Sequence, residues 1–364
     1  MLTTSEPAPQ TLTGRTGTLG RIRLNRPKAL NSLTLAMIRD IDAALTAFEA
    51  DPGIAAVLIT GEGERGLCAG GDIRMIHDGG KAGSAEPVDF WREEYRLNAR
   101  LARLARPYVA FMDGIVMGGG VGISVYGSHR IVTERTRFAM PETGIGFFPD
   151  VGASWFLTRQ RNELGTYAGL TGAQLAAGDV MALGLADCHV ASHRLAALAE
   201  DLSRLPVSAA HAQVSSVIAT FAEAPPPATL AAEQPAIGRL FAFDTIEEIF
   251  EALARDGSDF AEKTLAVLQT KSPLSLKVTL RLLRLGRAAA SLEECLEREF
   301  AATAGVLRSH DFYEGVRAAV IDKDRNPQWR PARLGDVTER DVAAFFEPSA
   351  SPLFAGQGSK GEQS

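Results

Sequence analysis

The chain has 364 residues, 46% of them hydrophobic and 23% charged, with a net charge of −6. That is ordinary globular composition; it gives no basic footprint for nucleic acid and no run near the ~20 uncharged apolar residues of a membrane helix. Three cysteines far apart in sequence, Cys68, Cys188 and Cys295, make no metal or disulfide pattern and point to a reducing, cytoplasmic setting, and the first 18 residues, with one Arg and no apolar core, argue against a secretory signal and a transit peptide.

Residues 1–13 read as a flexible tail. Residues 16–24 alternate, with Leu19, Ile22 and Leu24 apolar, and predict a strand. The turn-rich loop 25–31 offers Arg26 and Lys28 either to ligand phosphates or to solvent. Ser32 or Thr34 can cap a helix with apolar spacing at Met37, Ile41, Leu45 and Phe48. Residues 54–60 form a buried strand. Gly70 and Gly71 before Asp72 make a strand–glycine–helix junction, with Asp72 suited to the cap. A helix over 88–105 precedes a second buried strand, 108–112. That strand runs into three consecutive glycines, Gly118, Gly119 and Gly120, and a small apolar helix over 121–126. Short strands follow at 131–133 and 138–140, then helices at 153–161, 165–170 and 174–183, and a last strand at 189–190. This alternation predicts an α/β fold with glycine turns above the strand ends.

From residue 194 the pattern is nearly all helical, over 194–205, 235–241, 245–255, 258–269, 273–285, 292–308, 311–321 and from 337 onward. Pro225, Pro226 and Pro227 mark a linker over 222–228. The expected division is a tail (1–13), a core carrying the site (14–200), a helical C-terminal region (201–347) and a disordered tail (348–364).

Two glycine junctions can each aim a backbone N–H, aided by a helix dipole, at one oxygen on which negative charge grows. The candidate amides are those of Gly71 and Gly119; the alternative is that these glycines only let helices pack closely on strands. Glu142 and Asp150 follow in a Gly/Pro-rich loop whose apolar neighbours would raise a carboxylate pKa. Against that, Asp150 can cap the helix near 153 and Glu142 can be a solvated acid. Cys68 reads as a small core residue, since no histidine has a place beside it. Phe147, Phe148 and Trp155 suit either an acyl pocket or the core. The six histidines have no ligand spacing, and the glycine runs lack the companions of a nucleotide loop.

Three segments carry a specific resemblance: Asn-Arg-Pro-Lys-Ala-Leu-Asn at 25–31, Leu-Cys-Ala-Gly-Gly-Asp-Ile at 67–73, and Asp-Gly-Ile-Val-Met-Gly-Gly-Gly at 113–120. The chain resembles the crotonase (enoyl-CoA hydratase/isomerase) superfamily over residues 15–200. The segment 138–152 and the C-terminal segments around 272–280, 291–296 and 310–324 resemble its 3-hydroxyisobutyryl-CoA hydrolase branch. The resemblance implies a spiral of ββα repeats followed by helices, and a small-molecule acyl-CoA substrate whose CoA is the only cofactor-like group, with no metal. It places the oxyanion amides on Gly71 and Gly119, the CoA loop on Lys28, Ala29 and Leu30 with backbone contacts near Ala69, and the acids on Glu142 and Asp150. Trimers recur in the superfamily, so a homo-oligomer is left open.

Hydratases of the superfamily use two glutamates, and the first falls on Gly122 here, a position otherwise expected on the substrate surface. That departure favours thioester hydrolysis over hydration, in valine breakdown. Glu142 then attacks the carbonyl or activates water, and Asp150 binds the substrate 3-hydroxyl or orients Glu142. The rivals are an enoyl-CoA hydratase or isomerase and a non-catalytic acyl-CoA binder.

Overall fold

The structure, a computed structural model, describes residues 8–159 and 162–354. The tail expectations for 1–7 and 355–364, and the end of the helix expected over 153–161, lie outside the described residues. The chain opens with a hairpin, β1 (Thr11–Thr16) antiparallel to β2 (Leu19–Leu24). Residues 11–13 are therefore strand rather than tail. This Thr-rich edge strand buries only Thr11, so it is held by its backbone ladder and shows no apolar alternation.

After α1 (Leu35–Ala50), capped by Thr34, the chain winds as a spiral. Its first turn is β3 (Ala56–Gly61), β4 (Gly66–Cys68), α2 (Ile73–Lys81) and α3 (Glu86–Ala102). The second is β5 (Tyr108–Met112), β6 (Ile115–Met117) and α4 (Gly119–Gly122). The third is β7 (His129–Val132), β8 (Arg137–Ala139) and α5 (Ala153–Phe156), and β9 (Cys188–His189) closes the series. Each turn gives one strand to a six-stranded sheet, β1-β2-β3-β5-β7-β9, and one to a three-stranded sheet, β4-β6-β8. The spiral of ββα units anticipated from the resemblance is the architecture observed.

The central strands are apolar throughout because both faces are covered. Val57, Ile59, Ala110 and Met112 enter the main core. The alternating Leu58, Val109, Phe111 and Ile131 enter a second core, closed by the helices Leu195–Ser203 and His211–Ala219. A boundary at 200 would cut the first of these helices. The linker expected at 222–228 is seated on the core: a Cβ on Gly178 would lie 2.1 Å from the Pro226 carbonyl oxygen.

The remaining helices differ from the expectations mainly at their ends. The helix Pro273–Ala288 packs on α5, Leu292–Arg308 packs on α3, and His310–Val316 packs on the turn Glu142–Ile145, so the C-terminal region reaches the site. Residues 317–321, expected as plain helix, widen into a π turn. Disorder from 348 does not hold for the described end of the chain. Leu353 is buried, its N–H donates to Glu297, and its carbonyl accepts from Arg96.

Candidate active site

Two glycine turns meet at the heart of the spiral. The first follows β4, where Gly70 takes φ +112, closed to residues with a Cβ except at a strain cost. Its carbonyl accepts from Leu33 N, while Ala69 N donates to the Leu30 carbonyl. The second follows β6, where Gly118 (φ +49) leads into α4. Gly119 is the first residue of α4, so its N–H has no intrahelical acceptor. The turns are close: a Cβ built on Gly119 would lie 3.3 Å from Gly71 N. Two backbone N–H groups at such a junction suit a developing oxyanion.

Three carboxylates face this point. A Cβ on Gly118 would lie 3.0 Å from Glu142 Oε1, and one on Gly119 would lie 2.4 Å from Glu94 Oε1. Gly71, Gly119, Glu94, Glu142 and Asp150 line one cavity of about 110 Å³, with Phe147 and other apolar side chains as walls. Glu94, Asp150 and Glu142 are 2%, 5% and 6% exposed. Burial raises the Glu142 carboxyl well above its ordinary range, and Asp150 adds to this. Burial also raises Glu94, helped by Asp150 and Glu142. Asp150 is pushed up to about 7 by burial, opposed by the Tyr95 hydroxyl, which donates to Oδ2 at 2.8 Å. Like charges in one cleft oppose one another, so ionising one of the three acids disfavours ionising the next. Glu94 Oε1 and Glu142 Oε2 are buried without a hydrogen-bond partner among the described residues.

The supporting elements explain the aim of each acid. Glu142 opens a 3₁₀ turn closed by Gly146 at φ +72, where a Cβ would lie 2.1 Å from the Asp311 carbonyl oxygen. Asp150 precedes Val151, a β-branched residue at φ +52. That backbone costs about 1–3 kcal/mol and persists only where its surroundings enforce it. The Tyr126 hydroxyl donates to the Val151 carbonyl at 2.7 Å, and Glu299 accepts from Gly152 N at 2.6 Å.

Of the residues expected at the site, Gly71, Gly119, Ala69, Glu142 and Asp150 are brought together on the cavity wall. Lys28 and Ala29 are exposed, and Leu30 is joined to the wall through Ala69. Their loop is fixed by the buried Asn31, whose amide donates to the carbonyls of Glu62 and Gly66. Arg26 is committed to Asp72 at 2.9 Å and to the Ser32 carbonyl. Gly122 is corrected: it does not line the cavity. It sits under Val151 and Asn98, where a Cβ would lie 2.8 Å from Val151 Cβ and 2.9 Å from Asn98 Nδ2. Phe147 lines the cavity, stacked on Trp91 at 5.6 Å, whereas Phe148 is core and Trp155 lies under Arg159. Cys68 is buried, with its thiol pushed up to about 12 by desolvation.

Glu94, Tyr95, Asn98 and Glu299 were missed by the sequence reading. A signal existed for the first three. On α3 the buried face runs through Phe90, Trp91, Glu94, Tyr95, Leu97, Asn98 and Leu101, so an acid and an amide sit on an apolar stripe.

The family model described as "Enoyl-CoA hydratase/isomerase" matches residues 19–346. The 3-hydroxyisobutyryl-CoA hydrolase, mitochondrial, of Xenopus laevis is 46% identical over 337 residues, 91% of this chain and 87% of that protein. Its counterpart from Homo sapiens is 44% identical over 352 residues, 95% and 91% of the two chains. Among solved structures, a carnitinyl-CoA dehydratase from Mycobacterium thermoresistibile aligns with TM-score 0.89 at 41% identity, covering 96% of this chain and 99% of that one. An enoyl-CoA hydratase from Rhodobacter sphaeroides 2.4.1 aligns with TM-score 0.86 at 40% identity, covering 93% and 98%. The mitochondrial names overturn the cytoplasmic expectation, which rested on unpaired cysteines; a set of free thiols does not choose a compartment. With a matched model over nearly its whole length and relatives of this similarity, the chain belongs to the enoyl-CoA hydratase/isomerase family, the crotonase fold.

Proposed function

We propose that the chain hydrolyses the thioester of 3-hydroxyisobutyryl-CoA, or a close 3-hydroxyacyl-CoA, to the free hydroxy acid and CoA. One observation carries the reading: Glu142 and Asp150 share a buried cavity with the convergent Gly71 and Gly119 amides, while Gly122 offers no carboxylate there. Relatives named as hydrolases support it at 44–46% identity. The thioester oxygen lies between the two amides, which stabilise the charge of the tetrahedral intermediate. Glu142 adds to the carbonyl carbon, CoA leaves as thiolate, and water cleaves the resulting anhydride; in the direct route Glu142 takes a proton from attacking water. Asp150, fixed by Tyr95, receives the substrate 3-hydroxyl or orients Glu142. Glu94 stands across the Gly119 turn, where it can hydrogen-bond the acyl group. The physiological setting that this activity implies is valine breakdown.

Two measurements test the reading. Glu142→Gln should keep acyl-CoA binding and lose turnover, whereas retained turnover would remove Glu142 from the chemistry. A single turnover in heavy-oxygen water separates the routes: label in Glu142 marks the anhydride, and unlabelled Glu142 marks direct attack. A second reading, reversible water addition to an enoyl-CoA, has one specific support. Glu94 supplies a second buried glutamate beside Glu142, and two structural relatives bear hydratase and dehydratase names. Fold likeness alone does not choose between these reactions.

A further inference from the structure

Glu299 lies on the helix Leu292–Arg308 and is fully buried. Its hydrogen bonds converge on one turn. Oε2 accepts from Gly152 N at 2.6 Å, and Oε1 accepts from Ser154 N at 2.9 Å and Ser154 Oγ at 2.6 Å. Capping α5 does not account for a buried acid there, because α5 is the single turn Ala153–Phe156. Longer helices of this chain are capped by hydroxyls alone, Thr34, Ser272 and Ser291 among them. Burying a carboxylate is expensive unless donors meet it, so this one is matched to a segment that would otherwise relax.

That segment is the kink after Asp150. Val151 and Gly152 are both left-handed, at φ +52 and +82, and a Cβ on Gly152 would lie 1.9 Å from the Tyr126 hydroxyl. Ala153 N closes the turn on the Asp150 carbonyl at 2.8 Å. The direction of the Asp150 side chain is set by this kink at its base and by the Tyr95 hydroxyl at its tip. We propose that Glu299 is a positioning residue for Asp150: from the C-terminal helical region it holds the kinked turn that aims the Asp150 carboxylate into the cleft. The inference rests on the hydrolase reading for what is measured, though not for the geometry. It also gives the C-terminal region a part in the reaction.

Glu299→Gln is the test, because an amide keeps the shape but turns one acceptor into a donor facing Gly152 N–H or Ser154 N–H. Ser154→Ala, which removes one donor of three, is the milder companion should the first variant fold poorly. Thiol release is followed with Glu142→Gln as the inactive control, together with a urea midpoint and a crystal structure. The expected result for Glu299→Gln is a kcat/KM lower by about tenfold or more, lost in kcat if Asp150 orients Glu142 and in KM if it receives the substrate 3-hydroxyl, and an Asp150 carboxylate withdrawn from Tyr95; about a 1 Å misplacement is enough for such a loss. Ser154→Ala should fall between it and the parent. Parental kcat and KM per folded enzyme in both variants, whatever the urea midpoint, overturn the proposal. So does an Asp150 that stays 2.8 Å from Tyr95 in Glu299→Gln. A parent enzyme without thiol release would refute the hydrolase reading instead, and the crystal structure would still judge Glu299.

Discussion

Asp150→Asn should remove turnover and yet stabilise the fold above neutral pH. The carboxyl is 5% exposed, and burial lifts it from 3.8 to about 7 despite the Tyr95 hydrogen bond. With its folded pKa raised, the native protein keeps a proton that the unfolded chain releases between about pH 4 and pH 7. The stabilisation from that proton is complete below about pH 4 and is lost as pH rises through 7. Lifting the carboxyl from 3.8 to about 7 places the loss on the order of 4 kcal/mol above pH 7. Asn stays neutral and still accepts from Tyr95, but its amide N–H groups need partners, at a cost of about 1–2 kcal/mol. The net expectation is a gain of about 2–3 kcal/mol at pH 8 and about zero at pH 5, where the pH is only about one unit above the unfolded pKa. Glu94 and Glu142 are each raised partly by Asp150, so neutralising it relaxes them in the same direction. Urea unfolding of both proteins at pH 5 and pH 8 measures this. An equal difference at the two pH values, or a less stable variant at pH 8, would refute the reasoning.

Three further outcomes follow from the geometry. Gly122→Ala places a methyl 2.8 Å from Val151 Cβ and should cost about 1–3 kcal/mol of stability, read as a lower urea midpoint; an unchanged midpoint would mean that the packing there is looser than described. Glu94→Gln should fold normally and lower thioester turnover, with the loss in KM if Glu94 meets the acyl group in the ground state and in kcat if only in the transition state; parental kinetics would remove it from the site. Cys68, buried with its thiol pushed up to about 12, should resist alkylation at pH 8 until the chain unfolds, and rapid native labelling would contradict that burial.

Some of this was legible in the sequence for physical reasons. Glycines that must take positive φ stand out at Gly70 and Gly118, and the runs at 54–60 and 108–112 announce the buried strands found at Ala56–Gly61 and Tyr108–Met112. Glu142 and Asp150 were visible as acids among Gly, Pro and Phe. The three-residue strands β4 and β6 were not, although the equally short β8 was: β4 and β6 each run into a glycine turn, and the glycines mask where the strand ends. Glu94 was passed over because 88–105 was read only as a helix, without asking which of its polar residues fall on the buried face. Glu299 lies far along the chain from the turn it holds, and such a pairing exists only after folding. Gly122 was informative as a missing carboxylate but misread as a surface; the close approach of Val151 and Asn98 explains why no side chain fits there.

Whether Glu142, Asp150 and the two glycine amides cleave a thioester is decided by measuring free CoA thiol from 3-hydroxyisobutyryl-CoA beside water addition to crotonyl-CoA in one preparation. The expected result is rapid thiol release, abolished in Glu142→Gln, with no hydration. Hydration without thiol release would contradict it and would assign the pair Glu94 and Glu142 to water addition.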